Sequence, residues 1–155
     1  MTVSVNIINH VKNSGHYHAE EKLISTWSEA TLRHLKVNQH QHQDLSIILA
    51  DQELSAKLNQ QFRQKKGPTN ILSFNYDAIN EDKTRHLGEL VICLEVTEKE
   101  AAELNISNEE HWAHLIIHGV LHLLGYDHIS EHETVTMESL EIEILNQLGY
   151  DNPYR

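Results

Sequence analysis

Apolar and polar positions along the first third of the chain predict strands and a helix in alternation. Residues 3–9 alternate apolar with polar side chains, which is typical of a half-buried strand. Residues 18–35 place apolar side chains on one helical face. Residues 45–50 form a short apolar run, which predicts a buried strand. The pattern therefore begins as strand, helix, strand.

The middle of the chain predicts a second helix. Leu54, Leu58 and Phe62 recur every fourth residue, as on the buried stripe of a helix. Asp51 precedes them as a candidate N-cap. The pair Gly67-Pro68 is expected to stop the helix, because proline cannot continue it.

Two further strands and three helices are predicted for the remainder. Residues 71–76 and 88–93 are apolar enough for strands, and the polar segment 78–86 between them predicts a loop. Three helices are expected after these strands, covering 95–104, 108–124 and 131–149.

Capping signals support the last two of these helices. Ser107 and Ser130 are each followed three residues later by glutamate, which is the pattern of a capping box. Gly125 is expected to end the first of the two in a left-handed conformation. Because strands come early and helices dominate late, we predict an α+β fold in which a small mixed sheet of about four strands packs against helices. The 155 residues contain no repeat or linker, which predicts a single domain over 1–155.

Composition narrows the classes of function. The formal net charge of −11 argues against tight, non-specific binding to nucleic acid, although a local basic or metal site is compatible with it. No apolar run is long enough for a membrane span, and the N-terminus lacks the features of a secretory signal. Cys93 is the only cysteine, so a reducing compartment is expected. Of the 13 histidines, four in polar stretches are interpreted as surface scatter, namely His16, His18, His40 and His42.

Three histidines in the second half have the spacing of metal ligands. His118 and His122 are four residues apart on the predicted helix, so their side chains leave the same face. Gly125 can adopt φ > 0 and reverse the chain, which returns His128 to the same point. Three neutral imidazoles suit Zn²⁺ and leave a fourth coordination position open. We predict one divalent ion per chain, zinc first, with Ni²⁺, Co²⁺ or Cu²⁺ as alternatives.

Two residues near the three histidines, Asp127 and His114, can each be interpreted in two ways. Asp127 adjoins the third histidine and is a candidate to accept a hydrogen bond from a ligand imidazole, or it is simply a turn residue. His114, one turn before His118, is a candidate proton-transfer or substrate group, or a histidine at the edge of the core. The predicted buried stripe of the same helix adjoins these histidines and comprises Trp112, Leu115, Ile116, Gly119, Val120 and Leu123.

The spacing resembles that of zinc peptidases, but one component is missing. Such enzymes place a glutamate general base directly after the first histidine, and here that position is Gly119. The metal geometry is therefore peptidase-like, whereas the proton chemistry is not. We also expect that glycine at this position leaves room beside the metal for a larger substrate.

The segment 118–128 reads HGVLHLLGYDH and closely resembles the signature of the YbeY family, bacterial endoribonucleases of ribosomal RNA maturation. Residues 58–63 (LNQQFR), 65–74 (KKGPTNILSF) and 87–92 (LGELVI) also resemble that family, as does the ending LGY followed by PY. The chain departs from the family at Asn70 and Glu89, where aspartate is common.

The resemblance implies a metal-dependent, single-strand-specific endoribonuclease that matures the 3′ end of 16S rRNA and contributes to ribosome quality control. It also implies RNA, the ribosomal small subunit and assembly factors as partners, in the bacterial cytoplasm. Arg63 matches the family's arginine near the metal cleft and is a candidate to contact the phosphodiester. Lys65 and Lys66 beside it are candidates to bind the RNA backbone, or they form a solvated helix end.

Several alternatives stay open at this point. Phe74, Tyr76 and Trp112 are candidates to stack on bases, although core packing is the expectation for each. The attacking group is either water or the 2′-hydroxyl of the RNA. Two other functions also fit the motif: a zinc-dependent hydrolase of another substrate such as a peptide, and a non-catalytic ribosome-assembly module with a structural metal.

Overall fold

A computed structural model describes residues 3–11, 15–37, 41–79 and 83–155. Within these ranges the chain forms one mixed sheet and five helices. The strands are β1 (Val3–Asn9), β2 (Gln43–Ala50), β3 (Ile71–Ile79) and β4 (Arg85–Cys93). The helices are α1 (Glu21–His34), α2 (Gln52–Arg63), α3 (Leu94–Leu104), α4 (Asn108–Leu123) and α5 (Glu131–Gln147).

The sheet has the order β1-β2-β4-β3. β1, β2 and β4 run parallel, whereas β3 pairs with β4 in the antiparallel sense. The predicted fold class, a small mixed sheet covered by helices, is confirmed. Because β4 inserts between β2 and β3, β3 becomes an edge strand whose outer side has no strand partner among the described residues.

Helices cover both faces of the sheet. On one face α1, α4 and α5 enclose the larger core, which includes the fully buried Trp27 and Trp112. All six residues of the stripe predicted for α4 are buried. On the other face, Leu54 and Leu58 of α2 pack against a smaller cluster that includes Leu72. α4 thus lies directly against the sheet and carries its histidines at the border of the core.

The predicted N-cap residues are confirmed. The side chains of Asp51, Ser107 and Ser130 each accept a hydrogen bond from the backbone N–H three residues later. Gly125 has φ +100° just after α4, as expected for the residue that ends the helix.

Some boundaries differ from the sequence predictions. α1 begins at Glu21 rather than at residue 18. α2 ends at Arg63, before Gly67-Pro68, because Gln64 itself adopts the left-handed conformation with φ +56°. The segment 78–86 was predicted as a loop, but β3 continues to Ile79 and β4 starts at Arg85. Residues 80–82 of that segment lie outside the described residues.

Membrane spans and the scattered histidines were two points of the sequence analysis that the structure describes. None of the described helices is sufficiently long and apolar to cross a membrane. Of the histidines interpreted as surface scatter, His18 and His42 are exposed, while His16 is partly buried and pairs with Glu98 at 3.2 Å. His40 lies outside the described residues.

Candidate metal centre

His118, His122 and His128 converge on one point. Each offers one ring nitrogen, and these three nitrogens all lie within 4.8 Å of one another. The ring centroids are separated by 4.7 Å between His118 and His122, 5.6 Å between His118 and His128, and 5.1 Å between His122 and His128. The structure therefore brings together the three residues that the sequence predicted as ligands.

Two local features produce this convergence. His118 and His122 are one turn apart on α4, so both rings leave the same side of the helix. After α4 the chain reverses at Gly125, and the N–H of Tyr126 donates to the carbonyl of Leu121 at 3.0 Å. This reversal directs His128 back toward the first two rings before α5 begins.

A buried carboxylate from α5 supports the first histidine. Glu141 is fully buried, and its Oε2 accepts a hydrogen bond from Nδ1 of His118 at 2.7 Å. An ionised carboxylate can only accept, so the proton of His118 resides on Nδ1 and the lone pair of Nε2 is free for a ligand bond. A carboxylate behind a metal-binding imidazole is a common arrangement in zinc proteins.

Glu141 was not among the site residues predicted from the sequence, although its position carried a signal. Met137, Ile144 and Leu145 are buried on the same side of α5, and Glu141 lies among them at helical spacing. A charged residue inside an apolar stripe is unusual unless it is paired. That stripe could have marked Glu141 as a buried acid with specific partners.

His114 and the chain's C-terminal segment complete this network. Nε2 of His114 lies 3.0 Å from Oε1 of Glu141 and 3.2 Å from the hydroxyl oxygen of Tyr154. The hydroxyl of Tyr154 also donates to Glu141. Three donors therefore satisfy one buried carboxylate, which explains how the acid is accommodated away from water.

Burial and neighbouring charges shift the pKa values at this site. Burial by itself raises the pKa of Glu141, but hydrogen bonds from His114 and His118 outweigh it and lower the pKa to about 2. Burial, together with the adjacent His118 and His128, lowers the pKa of His122 to about 4. At neutral pH Glu141 is therefore ionised and His122 is neutral, the states that metal binding requires.

The donor set fits a divalent transition metal. Imidazole nitrogens suit zinc, nickel, cobalt and copper, and the described part of the chain contributes three such ligands to the group. Asp127 lies beside the third ligand: its Oδ1 accepts from the backbone N–H of His128 at 2.7 Å and is 3.4 Å from the ring Nδ1 of that residue. The carboxylate is therefore near a ligand imidazole, as well as fixing the turn.

A cavity of about 670 Å³ opens over the three histidines. Its lining includes Phe62 and Arg63 from α2, Asn70 just before β3 and Phe74 within it, together with His114 and Tyr154. Arg63 is exposed and is the permanent cation among the described residues that line the cavity. Lys65 and Lys66 are exposed on the segment after α2 but do not line the cavity.

Gly119 does not face the cavity, which corrects the expectation that it makes room for substrate. A Cβ built on Gly119 would lie 2.7 Å from Cδ2 of Leu90 and 3.0 Å from Cδ1 of Ile71. The position is buried against the sheet, so glycine there permits close packing of α4. A glutamate could not replace it without displacing these side chains.

The two departures from the family have different surroundings. Asn70 donates from Nδ2 to both oxygens of Glu100, at 3.2 and 3.3 Å, and Glu100 also pairs with His111 at 2.9 Å. An amide at position 70 therefore suits this acidic neighbour. Glu89 is half-buried beside Tyr76, whose pKa is raised by burial and by the charge of Glu89.

The three aromatic residues considered as candidates for base stacking differ in their burial. Trp112 is 1% exposed and packs in the core, as expected. Phe74 is half-buried against the smaller cluster. Tyr76 is 54% exposed and stacks on His86 at a centroid separation of 5.6 Å, so the expectation of core packing was wrong for Tyr76.

Comparisons with known proteins agree with these features. The family model described as Endoribonuclease YbeY matches residues 6–149. A relative from Colwellia psychrerythraea named Endoribonuclease YbeY is 47% identical over 128 residues, which cover 83% of this chain and 83% of the relative. Another of the same name from Methylococcus capsulatus is 48% identical over 129 residues, covering 83% and 82%.

A solved structure is also similar. The solution structure of TM1509 from Thermotoga maritima superposes with a TM-score of 0.54 at 26% sequence identity, covering 93% of this chain and 91% of that one. The histidine signature, the mixed sheet and these matches over most of the sequence lead to one assignment: the chain belongs to the YbeY family of endoribonucleases.

Proposed function

We propose that the protein is a metal-dependent endoribonuclease that cleaves single-stranded segments of ribosomal RNA. His118, His122 and His128 would hold one divalent ion, with zinc as the first choice. The observation that carries the proposal is the convergence of three imidazole nitrogens within 4.8 Å at a cavity, in a chain whose relatives are named endoribonucleases. A bound ion of this kind supplies Lewis acidity to a phosphoryl oxygen or to water.

The residues around the ion would contact the substrate, orient a metal ligand or exchange protons. Arg63 enters the cavity as a cation and would contact the phosphodiester, whose negative charge grows in the transition state. Glu141 would hold His118 in the tautomer that binds metal. His114 has its Nε2 engaged by Glu141 and Tyr154, so any proton exchange with substrate would use Nδ1.

In this proposal, the exposed lysines bind the RNA backbone and Asp127 orients a metal ligand. Lys65 and Lys66 are exposed two and three residues after Arg63 and do not line the cavity; in this proposal they would hold the RNA backbone as it leaves the cavity. Asp127 would orient His128 through its contact with the ring Nδ1.

We propose the RNA substrate, the partners and the compartment of this protein from its membership of the YbeY family. We infer that the RNA is the 3′ end of 16S rRNA, and that the protein acts in ribosome quality control with the small subunit and its assembly factors in the bacterial cytoplasm. The charge of −11 supports such an arrangement, because general attraction to RNA is weak and a ribosomal partner would supply specificity. Residues 1–155 would act as one domain.

The two alternative functions have less support. A peptidase of the His-Glu-x-x-His type needs a base where Gly119 packs against Leu90 and Ile71. A structural metal would be closed by a fourth protein ligand, and among the described residues the ligand group has three members.

Metal content and RNA cleavage, measured together, test the proposal. The wild type should contain about one equivalent of divalent metal and cleave a single-stranded oligoribonucleotide. His122→Ala should lose both properties, because two imidazoles hold the ion poorly. His132→Ala is the matched control, since His132 is exposed on α5 outside the cavity and should behave as wild type.

Two results would contradict the proposal. One is cleavage at an undiminished rate by His122→Ala after metal has been stripped. The other is a wild type that binds metal but leaves every single-stranded RNA intact.

A further inference from the structure

Phe62 is exposed where helical periodicity predicted burial. Leu54 and Leu58, earlier on the same stripe of α2, are half-buried against the smaller apolar cluster. Phe62 is one turn further on, and 53% of it is exposed. A large aromatic side chain left in water forgoes the favourable free energy of burial, so its surroundings are informative.

Those surroundings form one wall of the cavity over the three histidines. Both Phe62 and Phe74 line that cavity. The two rings are 5.1 Å apart between centroids and inclined at 76°, an edge-to-face contact. Phe74 is itself anchored in the smaller cluster, so it supports one side of the Phe62 ring while the rest stays accessible.

The cavity runs across the outer edge of β3. Ile71 and Asn75 face α4, since Ile71 lies against Gly119 and Asn75 donates to the carbonyl of Leu123. Phe74, on the opposite face of the strand, points toward α2. The metal-binding histidines and the Phe62 ring therefore flank the edge of the same strand and share one cavity.

A permanent cation lines the same cavity as the exposed ring. Arg63 follows Phe62 at the end of α2, lines the same cavity, and its guanidinium has no ion-pair partner within the part of the chain that is described. An aromatic face and an unpaired guanidinium in one cavity match a nucleotide, which presents a flat base and an anionic phosphate together. An apolar peptide side chain would use the ring but would leave the guanidinium without a counter-charge.

We propose that Phe62, supported by Phe74, is the stacking platform for one unpaired base of the RNA substrate, with Arg63 on an adjoining phosphate. This rests on the proposed ribonuclease function and adds a base-binding subsite to it. A base within a duplex already stacks on both sides and is not free to stack on Phe62. The subsite would therefore give the preference for single strands a structural cause.

Three substitutions at Phe62 separate stacking from simple packing. Phe62→Ala removes the ring, Phe62→Leu keeps apolar bulk without an aromatic face, and Phe62→Trp keeps the face. For cleavage of a single-stranded oligoribonucleotide, we expect KM to rise about tenfold or more for Ala and Leu, with kcat nearly unchanged. Trp should stay close to wild type. Because Phe62 is more than half exposed, none of the three should unfold the protein, and thermal melting checks this.

A binding measurement makes the test independent of cleavage. A set of oligoribonucleotides carries 2-aminopurine at one position each, and stacking on an aromatic ring quenches its fluorescence. Quenching at one position should occur with wild type and Phe62→Trp and disappear with Phe62→Leu. Making that position abasic should weaken binding to wild type about tenfold and leave binding to Phe62→Ala almost unchanged.

The outcomes distinguish this inference from the proposed function. If wild type cleaves RNA but Phe62→Leu keeps the wild-type KM and quenching, Phe62 packs rather than stacks and the inference is wrong. A fall in kcat with unchanged KM would overturn it as well. If wild type neither binds nor cleaves single-stranded RNA, and instead an apolar peptide protects Phe62, the proposed function and the inference both fail.

Discussion

Glu141 links the buried interior to the candidate metal centre at the level of a single residue. Its carboxylate is fully buried and holds His118 by a 2.7 Å hydrogen bond. Removing the negative charge weakens that bond, so the imidazole of His118 is no longer held in the tautomer that has its proton on Nδ1. It also lowers the basicity of His118 toward a metal.

We therefore predict that Glu141→Gln lowers metal affinity about 10- to 100-fold while the fold persists. Competition with a chromophoric chelator measures the affinity, and circular dichroism checks the fold. Glu143→Gln makes the same chemical change on the exposed side of α5 and serves as the control. An affinity within twofold of wild type would remove Glu141 from the metal centre.

Asn70 provides a second test at the residue scale. Its amide donates to Glu100, so an aspartate there would place two carboxylates within about 3.3 Å without a proton between them. We expect Asn70→Asp to lower the free energy of unfolding by about 1 kcal/mol at neutral pH, a modest value because Glu100 is partly exposed to water. Urea denaturation measures the change.

A second substitution identifies the cause. Glu100→Gln in the Asn70→Asp background restores a donor between the two side chains and should recover the lost stability. Equal stability of Asn70→Asp and wild type would mean that the amide at position 70 does not compensate for Glu100.

The three ligands and their partners differ in how far the sequence could reveal them. His118, His122 and His128 are close in sequence, so helical geometry and one glycine turn predicted their convergence. Glu141 and Tyr154 reach the same site by packing of α5 and of the C-terminal segment against α4. The apolar stripe of α5 marks Glu141 as a buried acid, but local patterns do not tell which elements pack against it or which residues become its partners.

Among the elements, α4 is the helix whose packing depends on a close approach to the sheet at Gly119. Gly119 lies where a methyl group would meet Leu90 and Ile71 at 2.7 and 3.0 Å. Gly119→Ala gains helix propensity but overpacks this contact. We predict a net loss of about 1 to 2 kcal/mol in the free energy of unfolding.

Denaturation measures that loss, and metal titration should show the affinity unchanged, because Gly119 faces away from the three histidines. Shortening the opposing side chain with Leu90→Val should recover part of the stability in the Gly119→Ala background. A variant as stable as wild type would show that α4 can move away from the sheet at no cost.

Local signals predicted the existence of every strand and helix but not the arrangement of the sheet. Caps such as Asp51 and Ser107 act within one turn, so sequence spacing was sufficient to find them. The insertion of β4 between β2 and β3 depends on long-range pairing. The exposure of Phe62 also depends on tertiary packing, because helical periodicity does not tell that the ring meets Phe74 of the edge strand β3 and stays 53% exposed.

At the scale of the whole molecule, an acidic protein is proposed to bind a polyanion. The net charge of −11 opposes association with RNA at long range. Attraction must then come from a local source, and Arg63, Lys65 and Lys66 are three exposed cations close together in sequence, of which Arg63 lines the cavity. The number of phosphates neutralised should therefore be small.

This limit on phosphate contacts predicts the salt dependence of RNA binding. For single strands, each phosphate contact contributes about −0.7 to the slope of log affinity against log salt, so three cations give a slope of about −2. Fluorescence anisotropy of a labelled oligoribonucleotide across a KCl series measures it. Replacing Lys65 and Lys66 with glutamine should bring the slope to about −0.7 if only Arg63 still contacts phosphate. A wild-type slope steeper than about −4 would require a wider basic surface than these three side chains, and the RNA would then have to bind elsewhere on the molecule.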